Sequence, residues 1–246
     1  MPMVQGWCDP AFKTVHDAFA ASFSDRLPDQ DREHGAALAA IVDGKILVDL
    51  WGGWADKAAT RPWTRDTCGV VMSQTKGWTA IVVHSLAEAG LLNLDKPIAE
   101  IWPVFAANGK DAITTAHVLD HSAGIPFVQI GTRKLGFDQT RWERAIEEAP
   151  ALHAPGERHI YHPLTFGYIC AGIACRVSGK DISELLLQKV TGPLGLDLTY
   201  GAAAGRVYFQ AHPSGSRASP PIDPPAAASS LPASIFIEWP ATGLQV

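Results

Sequence analysis

Residues 69–76 read Gly-Val-Val-Met-Ser-Gln-Thr-Lys and open a run that continues at helical spacing to Gly90. On such a helix Ser73 and Lys76 are three residues apart, so their side chains share one face and can touch. A serine hydroxyl becomes a good nucleophile when a neighbouring group takes its proton, and a lysine in a suitable environment can do so. The stretch therefore predicts a nucleophile with its own base at a helix start, where the Ser73 N–H is a candidate oxyanion donor.

The Ser-x-x-Lys tetrad alone does not establish this chemistry. Serine and lysine are common enough for one such tetrad to occur by chance in a chain of 246 residues. A serine that caps a helix, followed by an exposed lysine, would give the same letters. The rest of the sequence has to decide between the two interpretations.

The overall composition narrows the class of protein. Of the 246 residues, 47% are apolar and 18% are charged, which is enough apolar surface for a sizeable core. A net charge of −5, with no basic cluster interleaved with aromatic residues, argues against nucleic-acid binding. No apolar run is long enough for a membrane span, and residues 1–7 do not resemble a secretory signal, so we expect a cytoplasmic protein without a membrane partner.

The cysteines and histidines do not form a metal-binding pattern. The four cysteines are scattered without a Cys-x-x-Cys, and the nine histidines lack a His-Glu-x-x-His. We therefore expect no metal or organic cofactor, and we expect reduced cysteines that serve as core residues.

A hairpin precedes a largely helical middle section. Residues 36–42 and 45–51 predict two strands joined by Asp43-Gly44, a pair that tolerates the positive φ angles of a two-residue turn. In Trp51-Gly52-Gly53-Trp54 the glycines are interpreted as a bend at the strand end rather than as a ligand site. Helical spacing with Pro or Gly at the boundaries predicts helices over residues 10–26, 75–89, 114–119, 141–148, 163–177 and 182–190.

The character of the chain changes after Tyr200. Residues 211–234 are dominated by Pro, Ala and Ser, a composition that buries too little apolar surface to offset the entropy of ordering. We expect a loosely ordered tail over residues 206–246. The alternative is a long surface loop that leads to a short last element at residues 235–239.

Further segments follow the tetrad in an order known from serine β-lactamase-like hydrolases. They are Leu50-Trp51-Gly52-Gly53-Trp54, Gly90-Leu91-Leu92-Asn93-Leu94-Asp95, Val118-Leu119-Asp120-His121-Ser122-Ala123-Gly124, Ala154-Pro155-Gly156-Glu157, Tyr161-His162-Pro163, Val177-Ser178-Gly179-Lys180 and Pro193-Leu194-Gly195-Leu196. Over roughly residues 10–200 the chain resembles the serine β-lactamase-like and penicillin-binding-protein-like superfamily, and within it the family VIII carboxylesterases. Several segments in one order are far more specific than a single tetrad.

The resemblance implies a role for three residues. Ser73 would be the nucleophile that is acylated, and Lys76 its partner in proton transfer. Tyr161 matches the tyrosine of the second motif, which in related enzymes lies against the serine and acts as base or proton relay. It can do so only if its pKa is brought down from about 10, and Lys76 is a plausible cause. The third position of that motif is Pro163, where β-lactamases have Asn, and this change favours esters over lactams or peptides.

Two histidines suggest a Ser-His arrangement that the rest of the sequence does not support. The chain has no Gly-x-Ser-x-Gly elbow, so an α/β-hydrolase triad is not expected. His121-Ser122 matches a structural loop of the superfamily. His162, beside Tyr161, is a candidate substrate-binding residue, and a helix-cap or surface position is the commoner alternative for it.

The resemblance implies an α+β fold of the β-lactamase/transpeptidase-like type, a helical domain beside an antiparallel sheet. We expect one hydrolase domain over residues 1–205, with 1–70 as the N-terminal helix and hairpin of the sheet part and 71–205 as the mostly helical part. The third motif of the superfamily, Lys-Thr-Gly or an esterase variant on a late strand, is not found, and relatives are typically much longer. The chain therefore looks C-terminally truncated, with the last strands of the sheet missing.

The sequence thus predicts a serine carboxylesterase that acts on small-molecule, short-chain esters through an acyl-enzyme on Ser73. The missing third motif would either impair this activity or leave an open site that admits small esters. One alternative is a β-lactamase or D-Ala-D-Ala peptidase, against which the absent Lys-Thr-Gly argues. An alternative of another class is an inactive truncated family member that acts as a binding module or has no function. Nothing in the sequence indicates an oligomeric state.

Overall fold

The computed structural model describes residues 4–28, 31–128 and 138–200. The chain divides into two units, Met1–Met72 with Gly195–Val246 and Ser73–Leu194. The tail expected over residues 206–246, together with the alternative last element at 235–239, lies outside the described residues.

The first unit contains a three-stranded antiparallel sheet. Its strands β1 (Gln5–Cys8), β2 (Gly35–Val42) and β3 (Lys45–Gly53) lie in the order β1-β3-β2. Both residues of the Asp43-Gly44 turn have a positive φ, 49° and 73°, as a tight hairpin turn requires. The predicted hairpin is confirmed. The sequence did not predict β1, because four residues are too few to show a periodic pattern.

The first helix is shorter than its apolar pattern suggests. A 3₁₀ turn at Pro10–Phe12, capped by the Asp9 side chain, leads into α1 (Lys13–Ser22). The helix predicted over residues 10–26 is therefore confirmed, but it ends four residues early, just before Phe23.

The glycines at the end of β3 allow a close approach of backbone and ring. Gly53 has a φ of 82°, and a Cβ placed on it would lie 2.2 Å from the His34 carbonyl oxygen and 2.8 Å from the Phe23 ring. No side chain larger than hydrogen fits there without movement of its neighbours. These contacts support the structural interpretation of Trp51-Gly52-Gly53-Trp54.

The second unit is mostly helical. Its helices are α2 (Thr75–Glu88), α3 (Thr115–Leu119), α4 (Gln139–Glu148), α5 (Thr165–Ser178), α6 (Ile182–Leu186) and α7 (Gly192–Leu194), with a π-helical stretch at Leu187–Thr191 and 3₁₀ turns at Ile98–Glu100 and Pro103–Ala106. The helices predicted from residue 75 onwards are confirmed, and the last of them changes to the π-helical form after Leu186.

Helix α5 is central to this unit, since it packs against α2, α3, α4 and α6. Its buried face includes Phe166, Ile169 and Ile173. Gly172 lets the Trp102 ring come close, because a Cβ there would lie 2.7 Å from the indole. The start of α5 is thereby fixed within the core, and with it the segment that precedes the helix.

Glycines end two of the helices where the sequence predicted them. Gly90 follows α2 with a φ of 73°, and Gly179 follows α5 with a φ of 70°. After α2, the N–H of Leu91 donates to the carbonyl of Leu86 at 3.0 Å, and the N–H of Gly90 donates to that of Ala87 at 2.9 Å. This pair of bonds is the Schellman motif, in which glycine is favoured because the residue after the C-cap is left-handed.

The described helices are shorter than a helix that spans a bilayer. The two longest described helices, α2 and α5, have 14 residues each, whereas a membrane span needs about 20. Among the residues that the structure describes, no helix combines the length and the apolar character that a span requires.

A buried lysine ties the chain after the turn at Pro103–Ala106 to the end of α4. Lys110 is 0% exposed, and its Nζ donates to the carbonyls of Ala107 (2.6 Å), Glu147 (3.0 Å) and Ala149. Burial lowers the pKa of this ammonium group, and the charge of Glu147 opposes that shift. The last carbonyls of a helix have no intrahelical donors, so Lys110 supplies donors where α4 needs them.

We expect Lys110→Met to destabilise the protein by about 2–4 kcal/mol, because it leaves buried carbonyls without a donor. The shift of the urea unfolding midpoint measures this loss. Lys96→Met is the matched control, since Lys96 is 61% exposed in its side chain and pairs only with Glu100 at the surface; we expect no measurable change there. Equal effects of the two substitutions would contradict a special role for Lys110.

Candidate active site

Ser73 lies in a one-turn 3₁₀ helix, Met72–Gln74, that leads directly into α2. The sequence predicted the serine in the first turn of the α-helix, and the structure places it just before that helix begins at Thr75. Met72 has a φ of 45°, a left-handed conformation that is costly for a residue with a side chain. The first N–H groups of a helical segment have no intrahelical acceptor, so the Ser73 N–H can donate to a developing anion.

Three side chains meet at this point. Lys76 Nζ lies 3.2 Å from Ser73 Oγ and 2.9 Å from the Tyr161 hydroxyl, and that hydroxyl lies 2.5 Å from Ser73 Oγ. Tyr161 stands 85 residues after Lys76 in the chain and shortly before α5. It keeps 49% of its surface exposed, so a small molecule can reach it. The structure thus brings the three predicted residues together in a closed triangle.

The surroundings of Tyr161 favour its ionised form. Burial on its own raises the pKa of the phenol. The hydrogen bonds with Lys76 and Ser73, together with the positive charge of Lys76, outweigh burial and hold the pKa below its ordinary value of 10. A lowered pKa increases the share of Tyr161 that is ionised at a given pH, and the phenolate is the form that accepts a proton.

The triangle can move a proton between two oxygens. In the resting arrangement the Lys76 ammonium donates to both oxygens, and the Tyr161 hydroxyl donates to Ser73 Oγ. Once Tyr161 is ionised, the direction of its bond to the serine reverses, and the Ser73 hydroxyl donates to the phenolate. The ammonium stays between the two and stabilises whichever oxygen carries the negative charge.

His162 has a buried position with both ring nitrogens occupied. The residue is 0% exposed; its Nδ1 donates to the Ile160 carbonyl at 2.6 Å, and its Nε2 accepts from the Ile125 N–H at 3.0 Å. This pattern fixes one neutral tautomer, and burial lowers the pKa of the ring to about 4. The predicted contact of His162 with substrate therefore finds no support in the structure, which gives the residue two bonds to backbone instead.

His121 is a member of the site that sequence reasoning assigned only to a structural loop. Its ring centroid lies 5.0 Å from that of Tyr161, 5.2 Å from that of Phe166 and 5.6 Å from that of His162. Burial lowers the pKa of His121, and the nearby charge of Lys76 adds to the effect. The sequence does offer one signal for His121, because a histidine follows a short predicted helix at the position where glycine is usual.

Metal ligands do not cluster in residues 4–28, 31–128 and 138–200, where no group of three or more His, Cys, Asp or Glu could hold an ion. The cysteines form no disulfides. Cys170 is buried, as expected of a core residue, but Cys175 on the same helix is exposed, which corrects the expectation that all four cysteines serve the core.

Comparison with known sequences gives one family. A family profile described as Beta-lactamase matches residues 20–245. The chain is 41% identical over 197 residues to the esterase/beta-lactamase LipL of Mycobacterium tuberculosis, and 28% identical over 175 residues to a beta-lactamase of Escherichia coli. These matches cover 79% and 71% of the chain but 44% and 45% of the relatives. The chain thus spans about half the length of the curated relatives it matches.

Comparison with solved structures gives the same group. A penicillin-binding protein homologue from Caulobacter crescentus has a TM-score of 0.73 and 33% identity, covering 81% of this chain and 53% of its own. A family VIII carboxylesterase has a TM-score of 0.68 and 39% identity, covering 78% of this chain and 52% of its own. Both likenesses extend over the greater part of the chain.

We expect Lys76→Met to raise the pKa of Tyr161 to or above its ordinary value, because burial then acts without an opposing charge. The ultraviolet absorbance of tyrosinate during a pH titration measures this change. A Tyr161→Phe variant of each protein isolates the signal from the other tyrosines, and Lys96→Met is the control for the loss of a lysine elsewhere. A Tyr161 pKa that does not move would show that Lys76 is not the cause of the lowered value.

Proposed function

Because this chain belongs to the beta-lactamase family, we propose that it is a serine hydrolase that cleaves short-chain carboxylic esters through an acyl-enzyme on Ser73. The observation that carries the proposal is the triangle of Ser73 Oγ, Lys76 Nζ and the Tyr161 hydroxyl. The α+β fold of the β-lactamase/transpeptidase-like type, expected from the sequence, is confirmed by the solved neighbours.

The first half of the proposed reaction forms the acyl-enzyme. Ser73 Oγ attacks the carbonyl carbon of the ester while the Tyr161 phenolate takes the serine proton. The carbonyl oxygen becomes an anion, to which the Ser73 N–H donates. The bond from carbon to the alcohol oxygen then breaks, and Tyr161 gives its proton to the departing alcohol. Lys76 remains protonated and stabilises the phenolate before and after these steps.

The second half releases the acid by the same groups in reverse. Tyr161, again ionised, takes a proton from a water molecule as the water oxygen attacks the acyl carbon. The tetrahedral intermediate collapses by breaking the bond to Ser73 Oγ. The proton held by Tyr161 returns to the serine, which leaves the Ser73 hydroxyl and the Tyr161 phenolate with which the cycle began. No proton is lost from the enzyme over the cycle.

The choice of esters over lactams rests on the residue that follows the Tyr161-His162 pair. Pro163 has no side-chain amide, so it cannot hold the side-chain amide of a lactam or peptide substrate through hydrogen bonds. An ester has a better leaving group and depends less on such contacts. One similar solved structure is named as a carboxylesterase, and the similar protein LipL is named for both esterase and beta-lactamase activity.

Two other functions remain to be separated from this one. A β-lactamase or D-Ala-D-Ala peptidase activity is favoured by the names of other relatives, which include a beta-lactamase and a penicillin-binding protein homologue. The alternative of another class is a binding module without catalysis, in which Ser73 would not be acylated. The two experiments below distinguish the three.

We expect the wild-type protein to hydrolyse p-nitrophenyl acetate and butyrate with a burst, and Ser73→Ala to lower kcat/KM by about 10³-fold or more. Mass spectrometry should locate the acyl adduct on the peptide that contains Ser73. Ser85→Ala, on the same helix, removes a hydroxyl that donates to the Val82 carbonyl and should leave the rate unchanged. The same slow rate in all three proteins would favour the binding module.

We expect nitrocefin to be hydrolysed with a kcat/KM at least about tenfold below that for p-nitrophenyl butyrate, because Pro163 forgoes one substrate hydrogen bond. Pro163→Asn should narrow this difference by improving nitrocefin turnover. Spectrophotometric rates on both substrates test the ratio in the two proteins. Nitrocefin turnover that exceeds ester turnover in the wild type would replace esterase by β-lactamase as the function.

A further inference from the structure

We propose that His121 is a positioning residue that holds the Tyr161 hydroxyl against Ser73 and Lys76. The catalytic meaning of this role rests on the proposed function. The structural part of it does not, since it concerns only where Tyr161 is held and how readily it ionises.

His121 accepts hydrogen bonds from the residues on both sides of Tyr161. The N–H of Ile160 donates to the His121 carbonyl at 3.0 Å, and the N–H of His162 donates to His121 Nδ1 at 3.1 Å. Between these two bonds the imidazole packs against the phenol ring, with the centroids 5.0 Å apart. A single residue therefore fixes Tyr161 at three points, two on its flanking backbone and one on its ring.

His121 has a left-handed backbone conformation, which at the end of a helix is usually adopted by glycine. After α3 the N–H of Ser122 donates to the carbonyl of His117 at 2.8 Å, and the N–H of His121 donates to that of Val118 at 3.2 Å. These bonds form a Schellman motif like the one at Gly90, yet here the left-handed residue is a histidine with a φ of 66°. A glycine would satisfy the helix end at a lower cost, so the contacts of the His121 side chain have to offset the strain of its backbone.

The far side of the same segment is held by His162. Its Nδ1 donates to the Ile160 carbonyl at 2.6 Å, and its Nε2 accepts from the N–H of Ile125 at 3.0 Å. The carbonyl of Ile125 in turn accepts from the Thr165 hydroxyl at 2.6 Å, which connects the segment to the start of α5. Hydrogen bonds thus hold the backbone on both sides of Tyr161, as precise placement of a reactive group requires.

Both histidines have to be neutral for this arrangement. His121 Nδ1 acts as an acceptor, so its proton is on Nε2, and a second proton would break the bond to the His162 N–H. The titratable and charged groups that face this ring are Lys76, Asp120, His159, Tyr161 and His162. Burial and then the charge of Lys76 lower the pKa of His121, against the opposing effect of Asp120. The contacts with Tyr161 are therefore intact at neutral pH.

Two substitutions in the full chain separate the side chain from the backbone. His121→Gly suits the left-handed conformation and removes both the ring and Nδ1. His121→Asn also tolerates a positive φ, and its Oδ1 can still accept from the His162 N–H, but it has no ring to pack on Tyr161. For each protein the pKa of Tyr161 is measured from tyrosinate absorbance, with the corresponding Tyr161→Phe variant subtracted, and kcat/KM for p-nitrophenyl butyrate is measured against pH.

We expect the melting temperature of His121→Gly to fall only slightly, because relief of the left-handed backbone offsets part of the lost ring packing and of the lost acceptor for the His162 N–H. The pKa of Tyr161 should nevertheless move up towards 10, most in His121→Gly and less in His121→Asn. The value of kcat/KM at neutral pH should fall by about tenfold to a hundredfold through kcat, with partial recovery at alkaline pH. A residue with only a structural role would lower the melting temperature and leave the pKa of Tyr161 in place.

His84→Gln is the matched control, since His84 is an exposed histidine on α2 and should change none of these quantities. If His121→Gly does not fold, His162→Leu tests the same segment from its other anchor, because leucine can neither donate to the Ile160 carbonyl nor accept from the Ile125 N–H, and it should also raise the pKa of Tyr161. An unchanged Tyr161 pKa in a folded variant overturns the proposal. The titration needs no substrate, so absent ester hydrolysis in the wild type would reject the proposed function without deciding the role of His121.

Discussion

The packing of α5 on α2 is the constraint on which the candidate site depends, and it is reflected in the hydrogen bond of 2.5 Å between the Tyr161 hydroxyl and Ser73 Oγ. This bond joins two positions 88 residues apart, so it exists only if the helices that carry its ends are packed in one way. Ser73 is fixed by the start of α2, and Tyr161 by its place before α5, which packs directly on α2. The buried contacts of α5 therefore stabilise the unit and also set the distance between Ser73 Oγ and the Tyr161 hydroxyl.

The charge at this site is kept to a minimum. Lys76, His121 and His162 lie in one cluster, and if all three were protonated their mutual repulsion would compete with the attraction of Lys76 for the phenolate. Burial prevents this by lowering the pKa of both histidines, that of His162 to about 4. A single cation remains, and it is the one within hydrogen-bonding distance of both reactive oxygens. The aromatic neighbours of His121 thus have an electrostatic effect, because they keep water from stabilising a second charge.

The sequence predicted the features that depend on a few neighbouring residues, but not those that depend on burial or on backbone conformation. Asp43-Gly44 gave the hairpin, and the spacing of Ser73 and Lys76 gave their contact, since both follow from a few consecutive residues. Tyr161 could be placed only by resemblance, because no periodicity relates it to residues so far away. The burial of His162 has no signature in the sequence, and the left-handed backbone of His121 is indicated only by its place after a short helix. Both follow from tertiary packing, which decides whether a histidine meets substrate or backbone.

The side chains of Ser73, Lys76 and Tyr161, and the histidines His121 and His162 that hold the segment around Tyr161, all lie within the single unit Ser73–Leu194. The five residues are therefore inherited together as one continuous block of sequence, whatever changes occur in the parts of the chain that lie outside the second unit.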